Sequence, residues 1–446
     1  MSTERVRRWQ NWSASVKGTP KVMAQPASLE ELARLVKTYA HEERQVRVVG
    51  AGHSFTPLVQ TDDILVSLEK MQGIEAVDAA QNLVTIRGGS TLHKLGDDLL
   101  ARGLAQENLG DIDVQSIAGA ISTGTHGTGS NFGTIATQVA GLTLVTANGD
   151  ILECSEEQNP EIFKAAQTSF GALGIIASVT LRAVPAKRLR YQVRRERLSS
   201  VLENLERYKR ENSHFEFFLF PHTEWVQAKF MNETEEPATT TNILGTLNKI
   251  VLENWVYWLI SESCRLVPPF CQTASRISAA GVATVSEVNY SHRLFATPRM
   301  VKFQEMEYNL PAEHFPIVLP QVIESIKEHH TNVHFPIECR FVKGDDIWLS
   351  PAYQRDSAYI AVHMYKGMPY TAYFRNVEAL YQPYQGRPHW GKMHTLDHHR
   401  FAQLYPHWND FLRVRQQLDP QGLFLNDYLR EMLGVEVNEG RAESPV

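Results

Sequence analysis

Val48-Val49-Gly50-Ala51-Gly52-His53-Ser54-Phe55 runs from β-branched residues into a Gly-x-Gly turn that delivers a histidine and a serine. Glycines let a backbone approach an anion closely and point successive N–H groups at it, and the Ser54 hydroxyl adds a donor, so the turn reads as a phosphate cradle. A diphosphate does not need His53. Taken alone the motif is also ordinary turn chemistry, and its meaning depends on the rest of the chain.

At 446 residues, 43% of them hydrophobic and 21% charged, the chain exceeds one core and calls for two or three folding units. A formal charge of −6 with no Lys/Arg stripe argues against a nucleic-acid partner. Arg7-Arg8 is followed by Trp9-Gln10-Asn11-Trp12-Ser13 rather than an apolar export core, which gives the expectation of a cytoplasmic location. Cys154, Cys264, Cys271 and Cys339 are scattered and form no C-x-x-C pair, so reduced thiols and no metal site are expected. The apolar stretch Ile243 to Phe270, with Trp255 and Trp258, is interrupted by Asn248, Lys249, Glu253 and Asn254. It is too broken to span a bilayer. It reads first as a buried or inter-domain helix, and second as an amphipathic helix giving weak peripheral membrane association.

Residues 1–185 alternate helix and strand signals, an α+β pattern. Ser28 with Glu31 makes a capping box, with Leu29, Leu32, Val36 and Tyr39 on one face. Strands are expected over Gln45 to Val49, Ile64 to Leu68, Leu83 to Arg87 and Ala177 to Leu181, and helices over Thr91 to Arg102 and from Pro160 to about Phe170. Ser116-Ile117-Ala118-Gly119-Ala120-Ile121-Ser122-Thr123-Gly124-Thr125-His126-Gly127-Thr128-Gly129 combines hydroxyls and bare backbone, which suits wrapping a phosphate-ribose chain. From residue 186 the pattern changes to strands at Glu216 to Phe220, Trp225 to Met231, Val301 to Tyr308, Ile347 to Leu349 and Ala358 to Tyr365. Helices at Leu198 to Arg210 and Ile317 to Glu328 accompany them, predicting a mostly antiparallel sheet with helices on one face over 186–385. A helix from His399 to Gln417 is expected in the remaining segment, 386–446.

Three clusters could carry chemistry. In Glu338-Cys339-Arg340 the strand period of two puts a carboxylate and a guanidinium on one face. Lys392 follows a Trp-Gly turn in Pro388-His389-Trp390-Gly391-Lys392-Met393-His394, where its ammonium could stand beside a developing anion. His363 and Tyr365 share a face at a strand end. The histidine and acidic residues His389, His394, Asp397, His398 and His399 match no standard zinc spacing.

Together, GAGHSF at 50 to 55, SIAGAISTGTHGTG at 116 to 129, ECR at 338 to 340, HWGKMH at 389 to 394 and DPQGLFLNDYL at 419 to 429 resemble one family. It is the sugar-1,4-lactone oxidases and the similar alditol oxidases, within the vanillyl-alcohol oxidase and p-cresol methylhydroxylase (PCMH) superfamily. The likeness covers nearly the whole chain. It implies a two-domain flavoprotein: a PCMH-type FAD-binding domain over 1–185, a cap domain over 186–385, and a segment 386–446 returning to the cofactor. The resemblance further implies covalent FAD carried by His53 through the flavin 8α-methyl group. Gly50, Ala51, Gly52, Ser54 and Phe55 would line the diphosphate. Ser116, Gly119, Thr123, Gly124, Thr125, His126 and Gly127 would continue the flavin contact, and Ile175 and Ile176 would meet the adenine side. Glu338, Arg340, His363, Tyr365 and Lys392 would face the substrate, a sugar lactone or a polyol, whose carbinol gives a hydride to the flavin and a proton to a group left open. Molecular oxygen would then be reduced to hydrogen peroxide. Gly110 matches a position near the oxygen-reactive face of the flavin, where the plant lactone dehydrogenase has alanine. It favours an oxidase over a dehydrogenase that passes electrons to another acceptor.

Overall fold

The computed structural model describes residues 8–239, 243–297 and 299–436, with the side chains of 243–253 excepted. The expectations placed on Arg7 and on side chains of the apolar stretch before residue 254 lie outside the described residues.

Ser28 caps the Leu29–His41 helix, its hydroxyl accepting from Glu31 N, and Leu32 and Val36 are buried. The chain then enters Val46–Val49, one edge of a parallel sheet whose central strand is Ile64–Ser67 and whose other edge is Val22–Ala24. Gly50 to Phe55 is the turn leaving that edge strand. Beside it lies a five-stranded antiparallel sheet in the order Ile151–Ser155, Val139–Val145, Ile175–Arg182, Leu83–Arg87, Ile74–Asp78. Buried Arg47 donates to the carbonyls of Leu58, Phe170, Gly171 and Phe424, tying the turn's strand to three other segments. Asn426 donates to Pro57 O and Gln60 O at 2.8 Å each, so the C-terminal segment returns to the same place.

A further sheet has eight strands, antiparallel throughout. Their order is Val285–Tyr290, Arg188–Arg197, Trp225–Glu233, His214–Leu219, Ile337–Val342, Ser357–Tyr365, Phe303–Pro311, Arg387–Pro388. The helices Phe315–Glu328 and Thr371–Tyr381 share a core with its apolar face through Phe217, Phe315, Val318, Val322, Phe374 and Val377.

Three local expectations differ from the structure. Ile347 to Leu349 is a turn rather than a strand, because Asp345 accepts from Ile347 N at 3.1 Å and from Ser350 Oγ at 2.6 Å. The helix expected from His399 to Gln417 is two, His398–Leu404 and Trp408–Leu418. Pro406 drives Tyr405 into extended backbone and removes a donor. Leu198 to Arg210 breaks at Asn204. Within the glycine-rich loop, Ser116 caps a short helix, Ile117–Ser122.

Candidate active site

The turn after Val49 opens onto a cavity of about 360 Å³. Four successive amides, those of Ala51, Gly52, His53 and Ser54, carry no hydrogen bond among the described residues. Gly52 takes a φ of +67°, left-handed backbone that aims neighbouring N–H groups into one concavity. Side chains are excluded where strands close on the cavity: a Cβ at Gly50 would lie 2.3 Å from Ser116 Oγ, and one at Gly88 2.3 Å from Ile176 O. Ser116, Gly119, Thr123, Ile175 and Ile176 complete the expected wall. Free amides, small residues and an apolar end suit a long diphosphate ligand such as FAD.

A second, smaller pocket of about 40 Å³ adjoins it, lined by Trp12, His53, Phe55, Asp111, Ile112, Arg299, Phe303, Glu305, Arg340 and Lys392. His53 lines both cavities. Its ring stacks on Trp12, with centroids 5.4 Å apart. Burial, then Lys392, lowers its pKa to about 4, so the imidazole is neutral at physiological pH.

The eight-stranded sheet assembles the charges by register. Glu216 pairs across from Arg340, and Glu305 across from His363, on neighbouring strands. Glu216, Glu305, Glu338, Arg340 and His363 are all buried, so each charge requires a partner. Arg340 donates through Nε to Glu216 at 2.9 Å, and its Nη2 lies 3.1 Å from Asp111 and against Glu338. Arg299 joins Asp111 and lies 3.9 Å from Glu338. Lys229 pairs with Glu216 at 3.0 Å and Lys392 with Glu305. Four carboxylates therefore meet four fixed cations, and the cluster is formally neutral before any histidine titrates. Burial would raise Glu216, but Lys229 and Arg340 outweigh it and bring it to about 2. Glu305 likewise sits well below the ordinary carboxylate value because the Lys392 ammonium overcomes its burial.

His363 stands directly behind Glu305. Its Nδ1–H donates to Pro336 O at 3.0 Å, and its Nε2 lies 3.4 Å from Glu305 and 4.0 Å from Glu338.

The expected residues distribute unevenly. Gly50 to Ser54, Ser116, Gly119, Thr123, Ile175 and Ile176 line the large cavity, while Phe55, Arg340 and Lys392 line the small one. Glu338 and His363 are outside the pocket lining, backing Arg340 and Glu305 respectively. Thr125, His126 and Gly127 are buried outside both linings, the His126 ring stacked on Tyr359 and 3.3 Å from Glu307. A Cβ at Gly124 would touch Pro351 at 3.2 Å, and Gly110 adjoins the pocket residue Asp111. Tyr365 is not brought to the pocket: its hydroxyl donates to Glu262 at 2.6 Å on the Ile243–Leu266 helix. His389 and His394 diverge, one accepting from Gly391 N and the other bonded to Tyr428. Sequence reasoning missed Glu305, Glu216, Lys229, Asp111, Arg299 and Trp12. The one local signal was the pair Glu305 and Glu307, two acids at period two in a strand, Phe303–Pro311, that carries no other charge.

Comparison with known proteins agrees with this geometry. The FAD binding domain family matches residues 20–155, and the D-arabinono-1,4-lactone oxidase family matches residues 179–432. An L-gulono-1,4-lactone dehydrogenase of Mycobacterium tuberculosis is 39% identical over 96% of this chain and 99% of its own. An L-gulonolactone oxidase of Scyliorhinus torazame is 34% identical over 95% and 98%. Among solved structures, a cholesterol oxidase from Brevibacterium sterolicum superposes with a TM-score of 0.77 at 17% identity, covering 96% of both chains. That likeness shows the two-domain flavoenzyme fold. By the span of the matched family and the identity to its full-length relatives, the chain belongs to the D-arabinono-1,4-lactone oxidase family.

Proposed function

We propose that this protein uses FAD to oxidise a secondary carbinol of a sugar-1,4-lactone of the L-gulono or D-arabinono type. The observation that carries the reading is His53, shared by a cavity edged with backbone amides unpaired among the described residues and a small pocket lined with matched charges. FAD, when bound, supplies the hydride acceptor. We further propose that His53 carries the flavin covalently, the neutral ring nitrogen being the available nucleophile. Segments 1–185 and 386–446 would hold the cofactor, and 186–385 would cap it, the break falling between the strands ending at Arg182 and starting at Arg188.

The remaining chemistry belongs to the protein. Arg340, Arg299 and Lys392 orient the vicinal oxygens of the lactone and oppose negative charge developing near the flavin, an effect that a dry pocket strengthens. Glu305 accepts the hydrogen bond of the reacting hydroxyl. Its depressed pKa makes it a poor final holder, so the proton passes to His363 Nε2 behind it.

Oxygen as acceptor, with hydrogen peroxide as product, rests on Gly110, the chain neighbour of the pocket residue Asp111. The relative named a dehydrogenase favours a second reading, in which another acceptor takes the electrons. Exposed Trp255, Trp258 and Leu259 support weak attachment of a cytoplasmic protein to a membrane surface. Among the described residues no helix is long and apolar enough to cross a membrane. Anaerobic mixing with L-gulono-1,4-lactone, D-arabinono-1,4-lactone and a series of alditols tests the substrate. Lactones should bleach the flavin band fastest, and alditols bleaching faster would move the assignment to an alditol oxidase. Admitting oxygen should then restore the band with stoichiometric peroxide; recovery only with a dye or quinone would assign a dehydrogenase.

A further inference from the structure

Away from the active site, three ligating side chains converge inside the helical hairpin formed by Ile243–Leu266 and Cys271–Ala280. Cys264 Sγ, Cys271 Sγ and a ring nitrogen of His334 lie within 4.8 Å of one another, all buried. The hydrogen bonds fix which nitrogen faces the sulfurs. Ser261 Oγ donates its proton to Tyr257 O at 2.8 Å, so toward His334 Nε2, 2.9 Å away, it can only accept. The proton therefore sits on Nε2, and the Nδ1 lone pair points at Cys271 Sγ, 3.9 Å distant. This is the arrangement of a ligating histidine whose second nitrogen is oriented by an oxygen partner.

We propose that Cys264, Cys271 and His334 bind one divalent cation of the zinc class, clipping the helical hairpin to the eight-stranded sheet. Bonds of about 2.3 Å to sulfur and about 2.1 Å to nitrogen, opened to about 110 to 120°, set S and N about 3.6 to 3.8 Å apart. The observed spacing is close to that. Binding displaces two thiol protons to solvent, and two thiolates with a neutral imidazole cancel a charge of +2. A neutral centre avoids the cost of burying net charge, which a monovalent ion with two thiolates would incur. A disulfide would instead leave the buried His334 Nδ1 without a donor. Tyr257 Oη is buried with no hydrogen-bond partner among the described residues, its ring 6.0 Å from that of His334. His334 lies two residues before Pro336, whose carbonyl holds His363, so the clip braces the wall behind Glu305.

The test is cobalt(II) titration of the full-length flavoprotein after reduction and chelation. One equivalent should give tetrahedral cobalt absorption in the red, where flavin is transparent, with release of about two protons, and zinc should displace it. Cys271→Ser should bind at least about tenfold more weakly, whereas Cys154→Ser, a cysteine buried elsewhere, should titrate as the parent does. The flavin spectrum checks folding of each variant, and the parent titration stands without them. Absence of the red bands at equimolar cobalt, their persistence in Cys271→Ser, or an oxidised protein lacking two titratable thiols until reduced would each overturn the proposal.

Discussion

Arg340 spans three carboxylates with one planar guanidinium, reaching Glu216, Asp111 and Glu338. A lysine ammonium is a point charge and cannot serve all three. Arg340→Lys should keep the fold and slow anaerobic flavin reduction by about 100-fold, read by stopped flow. Lys392→Met removes a cation that holds Glu305 below its ordinary value. The Glu305 pKa should rise, so the acid limb of the pH profile for flavin reduction should move to higher pH; an unmoved limb would free Glu305 from that role. Gly110→Ala places a Cβ 3.2 Å from His126 O and 3.3 Å from Thr125 Cγ2, tight but close to tolerable. It should slow flavin reoxidation by oxygen while leaving reduction by substrate nearly unchanged.

The strands show how much of the site could be read in advance. Period-two spacing gave Glu338 and Arg340 a common face, and that holds. Their partners Glu216 and Glu305 lie on other strands, and only register brings them near. A single sequence carries no record of register, which is why the ion network was invisible while its central pair was legible. Glycine turns were legible for the same local reason, since Gly52 must reach a positive φ. The Asp345 turn and the Pro406 break are also carried by local residues, an aspartate that accepts from its own following backbone and a proline that ends a helix. At the C-terminal end, Asn426 caps Asp427–Leu433 through Leu429 N and also bonds Pro57 O and Gln60 O. Asn426→Ala should cost about 2 kcal/mol, seen as a lower urea midpoint with unchanged slope.

Across the whole molecule, depressed pKa values on both acids and histidines make stability fall toward low pH. His214, His389 and His394 are held near 4, 3 and 4 by burial against an ordinary 6.5. The unfolded chain takes up those protons first, so their contribution is present above about pH 6.5 and is lost as pH drops toward 4. Glu216 and Glu307, each near 2 in the fold against an ordinary 4.5, add stability that is present above about pH 4.5 and disappears toward pH 2. Thermal midpoints should therefore decline from about pH 6.5 downward and steepen below about 4.5. The two-domain arrangement followed from the change of sequence texture near residue 186, but the junction between the cavities came from the fold alone. His53 occupies that junction, and the functional reading depends on it. The most direct measurement is flavin fluorescence of the denatured protein on a gel: the account predicts a fluorescent polypeptide band in the parent and none in His53→Ala. A dark parent band, or a band still fluorescent in His53→Ala, would contradict it.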